Sequence, residues 1–324
     1  MTAWKSIVAV ILAASAGLWL AGCKSETTGP AGSGEQRKIG FSQVGAESDW
    51  RTAETKSIRA EAGTRKVKLV FSDAQGKVEQ QRQALRTFVT QQVDAIILAP
   101  KVKKGWDPVL KEVKAAGIPV ILVDRGIETG DESLYETLIA SDFVEEGRMA
   151  ARWLVKKAGG KAKIVQLEGT SGSDPANDRK KGFEEIINQQ DGMTIIASQT
   201  GDFKQGQGKE VMEAMLKTHG KAITAVYAHN DNMALGAIQA IEDAGLKPGT
   251  DILLVSIDGV RGAFEAMVAG KLNCTVECSP LLGPAAFDAV EQVLAGKKLP
   301  KRITVKDQVF DQSVAKDVIG SRQY

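Results

Sequence analysis

Histidine, cysteine and aromatic residues are scarce in this 324-residue chain, which has two histidines, three cysteines and 5% aromatics. Two histidines, His219 and His229, argue against a His-built metal centre. Three cysteines cannot staple a fold of this length. Neither sign of charge dominates: 42 basic against 40 acidic residues leave a formal charge of +2. Both signs are spread along the chain, so the basic block that nucleic acid or an acidic membrane would attract is missing. Catalytic signatures are missing too. There is no G-x-S-x-G elbow and no H-E-x-x-H. The glycine-rich stretch Gly201–Glu210 fails the phosphate-loop spacing, with Glu210 where Ser or Thr is required. No D-x-[DN]-x-[DN]-G calcium loop occurs, and no metal is expected. What remains is ordinary globular composition, 43% hydrophobic and 25% charged, long enough for two domains at ~150 residues each.

The N-terminus reads as an address. Lys5 precedes an apolar run, Ser6–Leu20, which is short for a spanning helix of ~20 residues. No other run approaches that length. Leu20-Ala21-Gly22-Cys23 follows directly and resembles a lipobox, in which Cys23 receives the lipid and residues 1–22 are removed. The plainer alternative is an ordinary signal peptide cut nearby, with Cys23 incidental. Residues 23–36, small, polar and rich in Gly and Pro, read as a flexible tether. The working site is then the periplasm or the cell surface. Cys274 and Cys278, four residues apart on an extended segment, are expected as buried small hydrophobes rather than a disulfide.

From Lys38 onward, short Val- and Ile-rich runs alternate with helical patterns. Strands are expected at 39–44, 67–72, 95–99, 120–123, 138–140, 162–167, 194–198, 222–228 and 252–257, with a tenth apolar segment ending at Glu277. Near-continuous hydrophobic strands suit a parallel sheet covered on both faces. Helices are expected at 78–93, from an Asp142 cap to about Ala158, and from Pro175 to Gln189. Gly117, Gly245 and Gly270 mark helix ends. Nine or more strands exceed one comfortable open sheet. The expected fold is therefore α/β, with two doubly wound parallel-sheet lobes; a single closed barrel of eight strands is the competing arrangement.

In such sheets ligands meet residues just past the strand ends. Those positions hold Gly45–Arg51, Pro100 with Trp106 beyond it, Asp124-Arg125, Asp178-Arg179, His229-Asn230-Asp231, Asp258-Gly259 and Glu277. Carboxylates, guanidiniums, an amide and an indole suit a sugar, whose hydroxyls both donate and accept and whose C–H face packs on a ring such as Trp50. Carboxylates standing beside the arginines favour a neutral polyol over an anion. Each position has a plainer reading: Asp124-Arg125 a turn, Trp50 a core residue, Asn230 a helix cap, Asp258-Gly259 a turn, and Lys180-Lys181 a solvated face. A glycosidase built on Asp124 and Asp258 is the enzymatic alternative. Arg125 beside Asp124 argues against it, because a neighbouring guanidinium spoils a carboxyl as a general acid.

The stretches Ile39–Gly45, Ser48–Arg51, Asp94–Ile96, Gly105–Glu112, Asp178–Phe183, Tyr227–Asp231, Gly236–Ile241, Ala244–Gly249 and Ser256–Val260 resemble the periplasmic sugar-binding proteins of ABC transporters. The resemblance is to the ribose/galactose-binding, type I family, and above all to its galactofuranose-binding branch. It implies two lobes joined by three hinge crossovers, a first of residues 37–140 plus 278–305 and a second of 141–277 plus 306–324. It implies sugar contacts from Glu47, Ser48, Asp49, Trp50, Arg51, Asp124, Arg125, Arg179, Asn230 and Asp258. It further implies a monomer with no cofactor and no enzymatic activity, and a permease with a separate ATPase subunit as partners. A receptor handing its sugar to a chemoreceptor or histidine kinase is the alternative. A transcriptional regulator's effector domain is disfavoured by the signal peptide and by the lack of an N-terminal helix-turn-helix. The sequence departs from the branch at Asp49, which stands in place of Gly, in lacking the lobe disulfide, and at Ser171–Pro175.

Overall fold

The computed structural model describes residues 36–324, so the signal, Cys23 and nearly all of the expected tether lie outside the described residues. The chain opens with β1 (Lys38–Gln43), α1 (Asp49–Thr64), β2 (Lys68–Asp73), α2 (Val78–Thr90) and β3 (Ala95–Leu98). It continues with α3 (Asp107–Ala115), β4 (Val120–Val123) and β5 (Thr137–Ser141). Next come α4 (Phe143–Lys157), β6 (Ala162–Glu168), α5 (Asp174–Ile187), β7 (Met193–Thr200), α6 (Gln205–His219) and β8 (Ala225–Ala228). Then follow α7 (Asp231–Asp243), β9 (Leu253–Asp258), α8 (Arg261–Val268), β10 (Cys274–Glu277) and α9 (Gly283–Leu294). The chain closes with β11 (Arg302–Val305), β12 (Val309–Asp311) and α10 (Gln312–Val318).

Two six-stranded sheets result, ordered β11-β5-β4-β3-β1-β2 and β12-β10-β9-β8-β6-β7. Every pairing is parallel except β12 against β10. Central β3 and β4 read AIIL and VILV and are buried throughout. The edge strands β2 and β7 carry exposed polar positions, since one side of each has no neighbour. This is the two-lobed α/β fold with three crossovers, between β5 and α4, β10 and α9, and β11 and β12. The crossovers touch one another: the Ser141 hydroxyl donates to Asp307 at 2.9 Å, and the Cys278 thiol donates to that hydroxyl at 3.6 Å. Cys274 and Cys278 are both free and buried.

Helix starts follow from local chemistry. Ser48, Asp142, Ser173 and Asn230 each accept a hydrogen bond from a first-turn backbone N–H. Gly117, Gly245 and Gly270 stand just past α3, α7 and α8. Two expectations need correction. The strand expected from Ala222 begins only at Ala225, because Gly220–Ala222 form a 3-10 turn. The short strands β11 and β12 carry half-exposed, charge-interrupted sequences, and hydrophobic periodicity does not reveal them.

Candidate functional site

A cavity of about 280 Å³ opens between the carboxyl ends of the two sheets. The first lobe contributes Glu47 and Ser48 from the loop after β1, and Trp50 and Arg51 from the first turn of α1. Asp124 and Arg125 follow β4. The second lobe contributes Pro175 and Arg179 on α5, Phe203 after β7, Asn230 capping α7, and Asp258 ending β9. Three lining residues take positive φ without being glycine: Asp124 at 61°, Phe203 at 61° and Asp258 at 130°. Backbone of this kind persists where surrounding contacts hold it, commonly at binding sites.

Arg51 is fully committed. It pairs with Glu54 at 2.5 Å, Asp124 at 2.5 Å and Glu47 at 3.2 Å. Burial works against its charge, but these carboxylates outweigh burial and raise its pKa. Arg125 differs. It lies 3.3 Å from Asp124 and 3.5 Å from Glu47, and donates to the Lys101 carbonyl at 3.2 Å. Burial, then repulsion from Arg51, lowers its pKa. Its Nε and Glu47 Oε2 are both buried without a hydrogen-bond partner. In the second lobe Arg179 donates to Glu146 at 2.6 Å and to the His229 carbonyl at 2.6 Å, and faces Asp258 at 3.5 Å. Burial raises the Asp258 pKa well above the usual carboxylate range, with Arg179 only partly offsetting it. Such a carboxyl can both donate to and accept from a hydroxyl.

Apolar surface completes the cavity. The Trp50 indole is pinned by donation from Nε1 to the Cys278 carbonyl at 2.6 Å, which ties it to a crossover. Phe203 lies under the Arg125 guanidinium, 5.4 Å from the ring centre. Three arginines and three acidic side chains line the cavity. Among the described residues no group of three or more His, Cys, Asp and Glu could hold a metal ion.

The structure brings nine of the ten candidate residues together: Glu47, Ser48, Trp50, Arg51, Asp124, Arg125, Arg179, Asn230 and Asp258. Asp49 does not join them. As the first residue of α1 it points away, is exposed, and exchanges hydrogen bonds with Asn232 of the other lobe at 3.1 and 3.2 Å. Other strand-end residues serve the frame. The fully buried Trp106 donates to the Val102 carbonyl at 2.7 Å. His229, held neutral first by burial and then by Arg179, sits 2.9 Å from Gln166. Asp231 ties together Ser256, Thr275 and Val260. Glu277 pairs with Arg322 at 2.6 Å, outside the cavity. Sequence reasoning missed Pro175 and Phe203, and also Glu54 and Glu146, which hold two of the arginines from behind. Glu54 stands three residues after Arg51, an ion-pair spacing on a helix that offered a signal.

A family model described as a periplasmic binding protein domain matches residues 39–298. The galactofuranose-binding protein of Escherichia coli (strain K12) is 48% identical over 289 residues, 88% of this chain and 91% of the relative. Among solved structures, the binding component of the arabinose ABC transporter from Shewanella sp. ANA-3, bound to alpha and beta-L-arabinofuranose, is 51% identical with a TM-score of 0.87. That match covers 88% of this chain and 95% of the other. A Mycobacterium smegmatis structure in complex with beta-D-fucofuranose is 50% identical with a TM-score of 0.87, covering 89% of this chain and 95% of the other. By fold, by the cleft between its lobes and by sequence, the chain belongs to the periplasmic binding protein family.

Proposed function

We propose that this protein is an extracytoplasmic solute receptor that captures one neutral monosaccharide in furanose form and delivers it to an ABC transporter permease. The observation that carries the reading is the cavity itself, where three arginines and three carboxylates from both lobes surround about 280 Å³. An acidic group beside each arginine disfavours an anion, and the Trp50 and Phe203 rings offer faces to sugar C–H groups. Glu47, Ser48, Trp50, Arg51, Asp124, Arg125, Arg179, Asn230 and Asp258 are the proposed contacts. Support for a furanose comes from the relatives named for galactofuranose, arabinofuranose and fucofuranose. These three sugars share one ring configuration and differ in the exocyclic arm.

The protein acts by closing rather than by chemistry: a sugar that touches both lobes stabilises the closed form. The lobes we infer are 37–140 plus 278–305 and 141–277 plus 306–324. Lipid on Cys23, with residues 23–36 as a tether, would hold a monomeric receptor beside its permease, while a separate subunit hydrolyses ATP. The test is calorimetric titration of the chain from Lys24 with L-arabinose, D-galactose, D-fucose, D-ribose and D-glucose. All twelve strands and ten helices of the described residues lie in this portion. We expect at least one of the first three sugars to bind with Kd below about 10 μM. Absence of heat with all five overturns the reading.

A further inference from the structure

A second cavity of about 630 Å³ lies between the lobes and shares Glu47 with the first. Its first-lobe wall is Gly45, Gln75, Gly76 and Lys101; its second-lobe wall includes Asp202 and Lys204. Glu47 stands between the two spaces and divides its oxygens. Oε1 faces Arg51 at 3.2 Å and Arg125 at 3.5 Å. Oε2 is buried without a partner and lies beside Gly45, where an added Cβ would sit 3.4 Å from it.

We propose that this second cavity is a binding subsite for a second, neutral sugar unit, so that the protein takes furanosyl disaccharides as well as free monosaccharides. The inference rests on the monosaccharide reading of the first cavity. Size supports it, since the second cavity, about 630 Å³, is more than twice the first, about 280 Å³, on the same measure. Charge chooses the class. Lys101 already donates to the Gly76 carbonyl at 2.6 Å, and Lys204 pairs with Asp202 at 2.7 Å. A phosphate or uronate would meet the Asp202 and Glu47 side chains, whereas sugar hydroxyls can donate to carboxylates and accept from ammonium groups. The walls come from both lobes, so a second unit here adds contacts that favour closure.

The test compares L-arabinose with α-1,5-linked L-arabinobiose, and D-galactose with β-1,5-linked galactofuranobiose, by calorimetry on the chain from Lys24. Each disaccharide offers one residue extended at its exocyclic arm and one extended at its anomeric oxygen. In whichever series the free sugar binds, we expect the disaccharide within about tenfold of it. Lys204→Trp narrows the groove without touching the first cavity. It should weaken the disaccharide by about tenfold or more and shift the free sugar by less than about threefold. Lys204 makes no side-chain cap bond, so Lys204→Phe provides a milder narrowing with the same ordering of effects. A disaccharide that gives no heat while its free sugar binds overturns the inference and leaves the monosaccharide reading intact. Equal weakening of both ligands, or of neither, by the Lys204 variants also overturns it. Silence from every sugar overturns both readings together.

Discussion

Arg125 and Arg179 line the same cavity under opposite electrostatic loads. Arg179 is buried against Glu146 and Asp258, which raise its pKa against the lowering effect of burial. Arg125 is lowered by burial and by Arg51, and its Nε has no hydrogen-bond partner. Truncating them should therefore separate stability from binding. Arg179→Ala strands two buried carboxyls, a change that costs about 3–5 kcal/mol. Its melting temperature should fall clearly with no sugar present. Arg125→Ala leaves Asp124 with Arg51 and removes one repulsion, so the ligand-free melt should move little. Loss of a charged hydrogen bond, about 1.5–3 kcal/mol, should instead weaken sugar binding by about 10- to 100-fold. Thermal melts with and without sugar, read beside calorimetry, check both halves. Equal loss of stability in the two variants would contradict this division. At this scale the sequence was legible for Asp124, Arg125 and Asp258, which end or follow strands, but not for Phe203, an apolar residue after β7 with no polar group to mark it. Asp49 also follows a strand, but a helix turns its first residues in different directions, and neighbouring Ser48 and Trp50 face the cavity while Asp49 does not.

Packing of α4 on α5 positions Arg179, and two glycines permit it. A Cβ on Gly182 would lie 1.9 Å from the Val144 carbonyl oxygen, and one on Gly147 2.2 Å from that of Arg179. Nothing flexible separates the two backbones there, so Gly182→Ala must push the helices apart. Overpacking of this kind costs about 1–3 kcal/mol and sometimes more. The variant should melt lower and bind sugar more weakly, because Arg179 lies on the displaced turn. An unchanged melt would show that the helices are not in such contact. The pairing of α4 with α5 could not be read from periodicity, since glycine on a buried helix face looks like a poor helix former until its neighbour is known. The strands of the central sheet were readable because both their faces are buried. The edge strands β11 and β12 were not, because strands of four and three residues are too short for an alternation to stand out.

Across the whole molecule, the hinge and the lobe contacts set how readily the cleft closes. Asp307 lies on the third crossover and accepts from Ser141 on the first. Burial, reinforced by Glu146, raises its carboxyl to about 8; the Ser141 bond and Arg179 oppose the shift, and Glu277 adds to it. Between about 3.9, the unfolded value, and about 8, the unfolded chain releases a proton that the folded chain keeps. Stability is therefore lost as pH rises through that window. Asp307→Asn should remove this loss and stabilise the protein more at pH 8 than at pH 5. We expect the difference to be roughly 1–2 kcal/mol for a half-buried carboxyl, and denaturant titrations at the two pH values measure it. Closure itself is held by ties from lobe to lobe. Lys103 pairs with Asp174 at 2.5 Å, and the Gly126 N–H donates to Asp174 at 3.0 Å. Asp49 and Asn232 form another tie, with the Asp49 N–H donating to Oδ1 at 3.2 Å and Asn232 Nδ2 donating to Oδ2 at 3.1 Å. Neither residue lines the first cavity, so neither touches a sugar held there. The tie exists only when the lobes meet, so it adds to the closed state alone, and removing it should lower affinity by the share of closure it supplies. Asn232→Ala removes both hydrogen bonds and Asp49→Ala removes one. At about 0.5–1.5 kcal/mol per bond, the loss of two bonds in Asn232→Ala should weaken sugar binding by about five- to a hundredfold, mostly through faster release. The double variant should be no worse than Asn232→Ala, because the residues act on each other. Small-angle scattering without sugar should show both variants more open than the parent. Unchanged release rates and unchanged scattering would mean that the tie follows closure without favouring it.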